Sequence, residues 1–208
     1  MNETLFSLDA VQPVFEAVDL ADQRDLWFAR TLRTGFALTC AGAYRTFPEV
    51  AVEVFRSLAP ERIGSSEQDA LRSAFGQLAV HPDVQPALQL LHDAEVPVVT
   101  FSVGTAANVE RLFAKAGLTD LASAHLSCET VRRWKPAPEP YIHACEFLRH
   151  EPSDVWMVAA HSWDIAGAAA VGMRTAWVSR LEGTFDANFA SPDVSGTDLV
   201  EVVSLLLN

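Results

Sequence analysis

Residues 155–180, VWMVAAHSWDIAGAAAVGMRTAWVSR, constrain the fold more than any other stretch of the chain. A short apolar run (Val155, Trp156, Met157, Val158, Ala159, Ala160) meets a polar cluster of His161, Ser162 and Asp164. An Ala-rich segment of helical character follows as far as Gly172, and a second apolar run fills 175–178. This pattern predicts a strand, a helix and a second strand, a β-α-β unit. Such a unit requires a parallel sheet, because parallel neighbours need a long crossover. In open parallel sheets the carboxyl ends of the strands face the ligand crevice, which is where His161, Ser162 and Asp164 fall.

The segments before this unit repeat its logic. A helix over about 84–94 leads into a strand over 96–101, which ends at Ser102, Val103, Gly104 and Thr105 before a helix running to about 116. A short strand over 124–128, the segment RRWKPAP at 132–138, and a helix over 139–148 complete the approach, and a last helix is expected over 197–207. The polar, proline-bearing stretch 181–196 reads as a surface loop. Residues 9–62 differ in character. Their apolar residues (Val11, Val14, Phe15 and Val18; Leu26, Trp27, Leu32, Phe36 and Leu38; Val50, Val54 and Leu58) fall at helical spacing. Ser65 followed by Gln68 suggests a capping box opening a further helix. The expected architecture is α/β, a Rossmann-like parallel sheet formed by residues 1–8 and 81–208, with an inserted helical cap over 9–80.

The 208 residues carry a formal net charge of −12, which excludes nucleic acid or an anionic membrane as a partner, since no basic patch offsets that field. A small anionic substrate would need a local cation. Cys40, Cys128 and Cys145 are widely spaced and form no metal-like pattern, so they read as free thiols in a reducing cytosol. No apolar run is long enough to span a bilayer. The expectation is a soluble, cytoplasmic protein.

Five residues stand out chemically, each with a plain alternative. Ser102 precedes the helix N-terminus at Val103, Gly104 and Thr105, where free N–H groups and a hydroxyl would hold a carboxylate or phosphate; equally, Thr105 is an N-cap and Ser102 a loop residue. Lys135, held between Trp134 and Pro136, is a positioned cation or a solvated surface charge. Asp164 orients a lysine or a water, or simply caps its helix. His161 is a candidate acid or base, or a packing residue with satisfied hydrogen bonds. Trp163 reads as wall or core.

Taken together, Asn2-Glu3-Thr4-Leu5, TFSVGT at 100–105, KPAPEPY at 135–141 and HSWDIAGA at 161–168 resemble the haloacid dehalogenase superfamily, and within it the type II 2-haloacid dehalogenases. The resemblance implies a helical cap closing over the site and hydrolysis through a covalent aspartyl ester. It implies Ser102 as the second-motif hydroxyl, Lys135 as the third-motif cation and Asp164 as the fourth-motif carboxylate, with Asn2 and Thr4 in the first motif. His161 would position water. Val103, Gly104, Thr105 and Trp163, with Trp27, Leu38 and Tyr44 from the cap, would surround the substrate. The partner is a small anionic organic molecule. No cofactor is called for, and two copies would pair as a homodimer.

The departures are as informative. In relatives the first motif reads Asp-x-Asn-Glu-Thr-Leu after an apolar strand, and here Met1 occupies the x. The attacking carboxylate would be the residue before Met1. The expectation is a missed upstream segment, with Met1 at a valine-type start codon; the alternative is a non-catalytic fold that binds a small anion. Val103 stands where an Asn is usual, and Leu38, aligned through Gly42 and Tyr44, where a halide-accepting cap Arg is usual. A magnesium-dependent phosphatase, a third reading, would need carboxylates where this chain has Ala159, Ala160 and Asn2.

Overall fold

The computed structural model describes residues 1–208. Its first element is a two-residue strand, β1 (Phe6–Ser7), followed by four helices: α1 (Gln12–Glu16), α2 (Arg24–Cys40), α3 (Phe47–Leu58) and α4 (Ser65–Ala74). They form a block around Phe15, whose ring lies 5.3 Å from Trp27 and 4.9 Å from Phe55. Local chemistry sets the helix starts. At α3, Glu49 Oε2 accepts from both the backbone N–H and the hydroxyl of Thr46, at 2.7 and 2.8 Å. At α4 the expected Ser65–Gln68 box is replaced by one a residue earlier, in which Glu67 accepts from the Gly64 N–H at 2.8 Å. A carboxylate at that position satisfies an orphan N–H more strongly than an amide does.

Strand β2 (Ala79–Val80) pairs antiparallel with β1 and closes the block. Alternation then begins: α5 (Val84–Asp93), β3 (Val99–Ser102), α6 (Ala106–Ala116), β4 (Ala124–Ser127), α7 (Pro138–Leu148), β5 (Trp156–Ala159), α8 (Ser162–Ala170), β6 (Arg174–Val178), β7 (Val194–Gly196) and α9 (Leu199–Leu206). These strands form two parallel ladders, β3-β4 and β5-β6-β7. The α/β architecture with parallel strands and a preceding helical block is the one expected. Strand β7 is a correction, because 194–196 belongs to the ladder and not to a loop. Its edge position is pinned by Asp193, which accepts from the backbone and hydroxyl of Thr175 at 2.7 and 2.9 Å.

One apolar cluster runs from Phe15, Trp27 and Phe55 through Phe113 to Val178 and Val202, so the helical block and the α/β part share a core. A second cluster, around Phe101, Tyr141, Met157, Ile165 and Trp177, lies on the other side of the strands. All three cysteines are free. No helix is long and apolar enough to cross a membrane.

Candidate active site

The carboxyl ends of β3 and β5 open onto a narrow crevice lined by eleven residues, among them Met1, Asn2, Ser102, Val103, Lys135, His161, Trp163 and Asp164. Five separate sequence segments meet there. Lys135 is only 2 % exposed, and its Nζ donates to Asp164 Oδ2 at 2.7 Å. A longer contact of 3.4 Å reaches the Phe101 carbonyl, with the Phe101 ring 4.7 Å below. A lysine has three N–H donors, so one remains for whatever occupies the crevice.

Asp164 lies inside the first turn of α8 and does not cap it; the cap position is His161. Its second oxygen, Oδ1, accepts from the Tyr141 hydroxyl at 2.7 Å, and burial beside that carboxylate pushes the Tyr141 pKa well up, fixing the tyrosine as a donor. Tyr141 reaches Asp164 because Gly167 makes room. A Cβ at Gly167 would stand 2.5 Å from the Tyr141 hydroxyl oxygen and 2.7 Å from Pro136 Cβ. The N-terminus of α8 is occupied as well, by Glu182, whose carboxylate accepts from the Ser162 N–H at 2.9 Å.

His161 is buried between Phe28 and Trp163, with ring centroids 5.8 and 5.2 Å away. Burial pushes its pKa down to about 4; the carboxylate of Asp164 works against that shift, and the Met1 amine and Lys135 reinforce it. The imidazole is therefore neutral, and its Nε2 has no hydrogen-bond partner.

The Ser102 side requires a correction. The Gly104 N–H is not free, because it donates to Ser102 Oγ at 2.9 Å. The Gly104 carbonyl accepts from the Ser127 hydroxyl at 2.8 Å, and Thr105 Oγ1 accepts from the Asn108 N–H as an ordinary N-cap. Neither Gly104 nor Thr105 lines the crevice; they hold Ser102, which does. Thr4 is likewise outside it, with its hydroxyl accepting from the Ala160 N–H at 3.1 Å and tying the first motif to the end of β5.

The expected lid residues are also corrected. Trp27 is fully buried in the helical block, with its indole N–H on the Ala51 carbonyl at 2.8 Å. Leu38 packs on the shared core, and Tyr44 lies under the Arg132 guanidinium at 5.3 Å. The wall is built instead by Phe28 and Leu32, four residues apart on α2, together with Trp163. The i, i+4 spacing was visible, but an apolar residue facing a pocket has the same pattern as one facing a core.

Comparison with known proteins bears on this arrangement. The sequence profile of the haloacid dehalogenase-like hydrolases matches residues 5–172. The chain belongs to that family. Among relatives of this hydrolase is (S)-2-haloacid dehalogenase 1 of Pseudomonas sp. strain CBS-3, 28 % identical over 186 residues, covering 88 % of this chain and 82 % of that protein. The (S)-2-haloacid dehalogenase of Pseudomonas fluorescens is 24 % identical over 99 % of this chain and 93 % of its own length. In fold the hydrolase matches the L-2-haloacid dehalogenase of Xanthobacter autotrophicus solved with chloropropionic acid covalently bound, with a TM-score of 0.89 over 100 % of this chain and 96 % of that one, at 23 % identity.

Proposed function

We propose that the chain is a hydrolase of the 2-haloacid dehalogenase type, acting on a small 2-halocarboxylate through an aspartyl ester. The observation that carries this reading is the buried Lys135–Asp164 pair, whose lysine keeps one donor directed to a crevice shared with Ser102 and a neutral His161. Among the lining residues Lys135 is the only lysine or arginine, so in a chain of net charge −12 it is the cation that an anionic substrate or nucleophile would meet. Several relatives named as (S)-2-haloacid dehalogenases support the substrate class.

The nucleophile in this proposal is the carboxylate of an aspartate directly preceding Met1. Met1 lines the same crevice as Lys135, which supports that assignment. The carboxylate oxygen attacks C2, the carbon–halogen bond breaks, and halide leaves with the bonding pair. Lys135 keeps the carboxylate ionised and aimed, with Asp164 and Tyr141 fixing the ammonium in turn. The Ser102 hydroxyl, whose own proton is uncommitted while its oxygen accepts from Gly104, donates to the substrate carboxylate. His161 then offers its unpartnered Nε2 to a water that attacks the ester carbonyl, releasing the 2-hydroxy acid and restoring the aspartate. Phe28, Leu32 and Trp163 exclude other solvent. Asn2 and Val103 flank the reacting atoms.

The division into a core (1–8 and 81–208) and a cap (9–80), a cytoplasmic location and a homodimer belong to the same proposal. Protein purified from its native cells tests it. The expected species is heavier than 22.7 kDa, carries an apolar segment ending in Asp before residue 1, and releases chloride from 2-chloropropionate. Lack of halide release by that species across a panel of haloacids overturns the reading in favour of a small-anion-binding protein.

A further inference from the structure

We propose that Trp134 is a positioning residue that couples the helical cap to Lys135, so that the site's cation is in place only when the cap is seated. The proposal rests on the assignment of Lys135 to the reaction above. Trp134 immediately precedes Lys135 and is 1 % exposed. Its backbone N–H donates to Thr39 Oγ1 at 3.0 Å, and its indole N–H donates to the Arg45 carbonyl at 2.8 Å. Both acceptors belong to the cap, one on α2 and one on the turn after it. The ring lies 5.8 Å from Phe47 at the start of α3. It also rests on Gly35 of α2, where a Cβ would stand 2.2 Å from the indole.

Lys135, one residue on, makes its polar contacts entirely with the core, to Asp164 and the Phe101 carbonyl. Neighbouring residues are thus fastened to different bodies. Consecutive Cα atoms are separated by a fixed ~3.8 Å, so a cap displacement that carries Trp134 with it must draw Lys135 away from Asp164. The reverse also holds: the 2.7 Å pair resists cap opening. Cap closure and placement of the ammonium are then a single event. An open crevice admits substrate without an organised nucleophile, and a closed one organises it.

The chain contains only two lysines, Lys115 and Lys135. Lys115 is exposed but its Nζ donates to Gln77 of the cap, so an added lysine-containing peptide serves as the reference for Lys135, which reacts with an amine-directed reagent only when it leaves its pocket. The experiment is limited acetylation with acetic anhydride, well below each variant's melting temperature, with the ratio of Lys135 labelling to labelling of the added peptide read by mass spectrometry. Trp134→Phe removes the indole donor and keeps a ring; Thr39→Val removes the other acceptor at nearly constant shape. Each is expected to raise the ratio roughly fivefold, the opening shift that loss of one hydrogen bond produces, and the double variant to raise it further. In halide release, kcat falls more than KM rises. An unchanged ratio in folded variants overturns the coupling, even where the melting temperature drops, since that drop alone is what a purely structural tryptophan produces. If Trp134→Phe does not fold, Thr39→Val decides alone. The labelling needs no substrate, so a failure of the dehalogenase reading shows in halide release and leaves this ratio untouched.

Discussion

Two ion pairs join distant parts of this chain, and they differ in depth and in what surrounds them. Arg180 reaches Asp83 through both terminal nitrogens, and Asp83 also accepts from the Leu199 N–H at 2.7 Å, tying α5, β6 and α9 together, while the buried Arg180 Nε is left without a partner. Lys135 and Asp164 are more deeply buried, with side chains 3 % and 5 % exposed against 15 % and 14 %. Their pairing also leaves one donor unused, the third N–H of the ammonium, and both side chains line the crevice with Ser102 and His161. A buried charge with spare valence is costly unless something completes it. The difference is one of depth and setting: the Arg180–Asp83 pair is a staple between three elements, and the Lys135–Asp164 pair lies deeper and lines the crevice.

The sharpest way to break the comparison is Lys135→Ala. It strands the Asp164 carboxylate and is expected to cost about 3–5 kcal/mol in urea denaturation and to abolish halide release in a protein carrying the upstream aspartate. A loss no larger than that of an exposed pair would remove the distinction. Next in size is a pH effect at His161. Its folded pKa is depressed to about 4 from 6.5, so between those values the unfolded chain binds the additional proton. The stability contributed by the neutral ring is whole above pH 6.5 and is lost as pH falls toward 4, on the order of 3 kcal/mol. His161→Gln should flatten that part of the stability profile, and an unchanged slope would argue that the ring is not held neutral. Gly35→Ala should cost about 1–3 kcal/mol through overpacking against Trp134, seen as a lower melting temperature. Smallest is Asp83→Asn, which keeps shape and the Leu199 contact while losing charge. About 1 kcal/mol is expected with turnover intact; lost turnover would mean that the staple also serves the site.

Much of this was readable in advance, for reasons that differ by residue. The β5-α8-β6 unit declared itself because an apolar run, a polar cluster and an Ala-rich segment follow one another in the order that a crossover needs. Ser102 and Asp164 stand out because each ends or follows a strand, and Lys135 because it is held between Trp134 and Pro136 in a segment that resembles a family motif. Strands β1 and β2, of two residues each, are too short to show any period. Trp27 and Phe28 are adjacent on α2, yet one is core and the other pocket wall. Composition cannot tell those faces apart, and only the position of the neighbouring helices does. The Gly104 N–H was misjudged for a related reason: a donor at a helix start is free only if no local hydroxyl reaches back to it, and Ser102 does.

Gly167 has a consequence for how this site can change. The orientation of Asp164 depends on the Tyr141 hydroxyl, and that hydroxyl fits only because position 167 has no side chain. The carboxylate's aim is thus written partly as an omission, one turn away on its own helix. Selection or a mutagenesis library that explores crevice-lining residues can vary Phe28, Leu32 or Trp163 one at a time and reshape the crevice wall. Any side chain at 167 instead evicts the tyrosine and unaims the carboxylate in one step. Variation in the crevice wall is therefore open at Phe28 and Leu32 of α2 and at Trp163 at the start of α8, and closed at position 167.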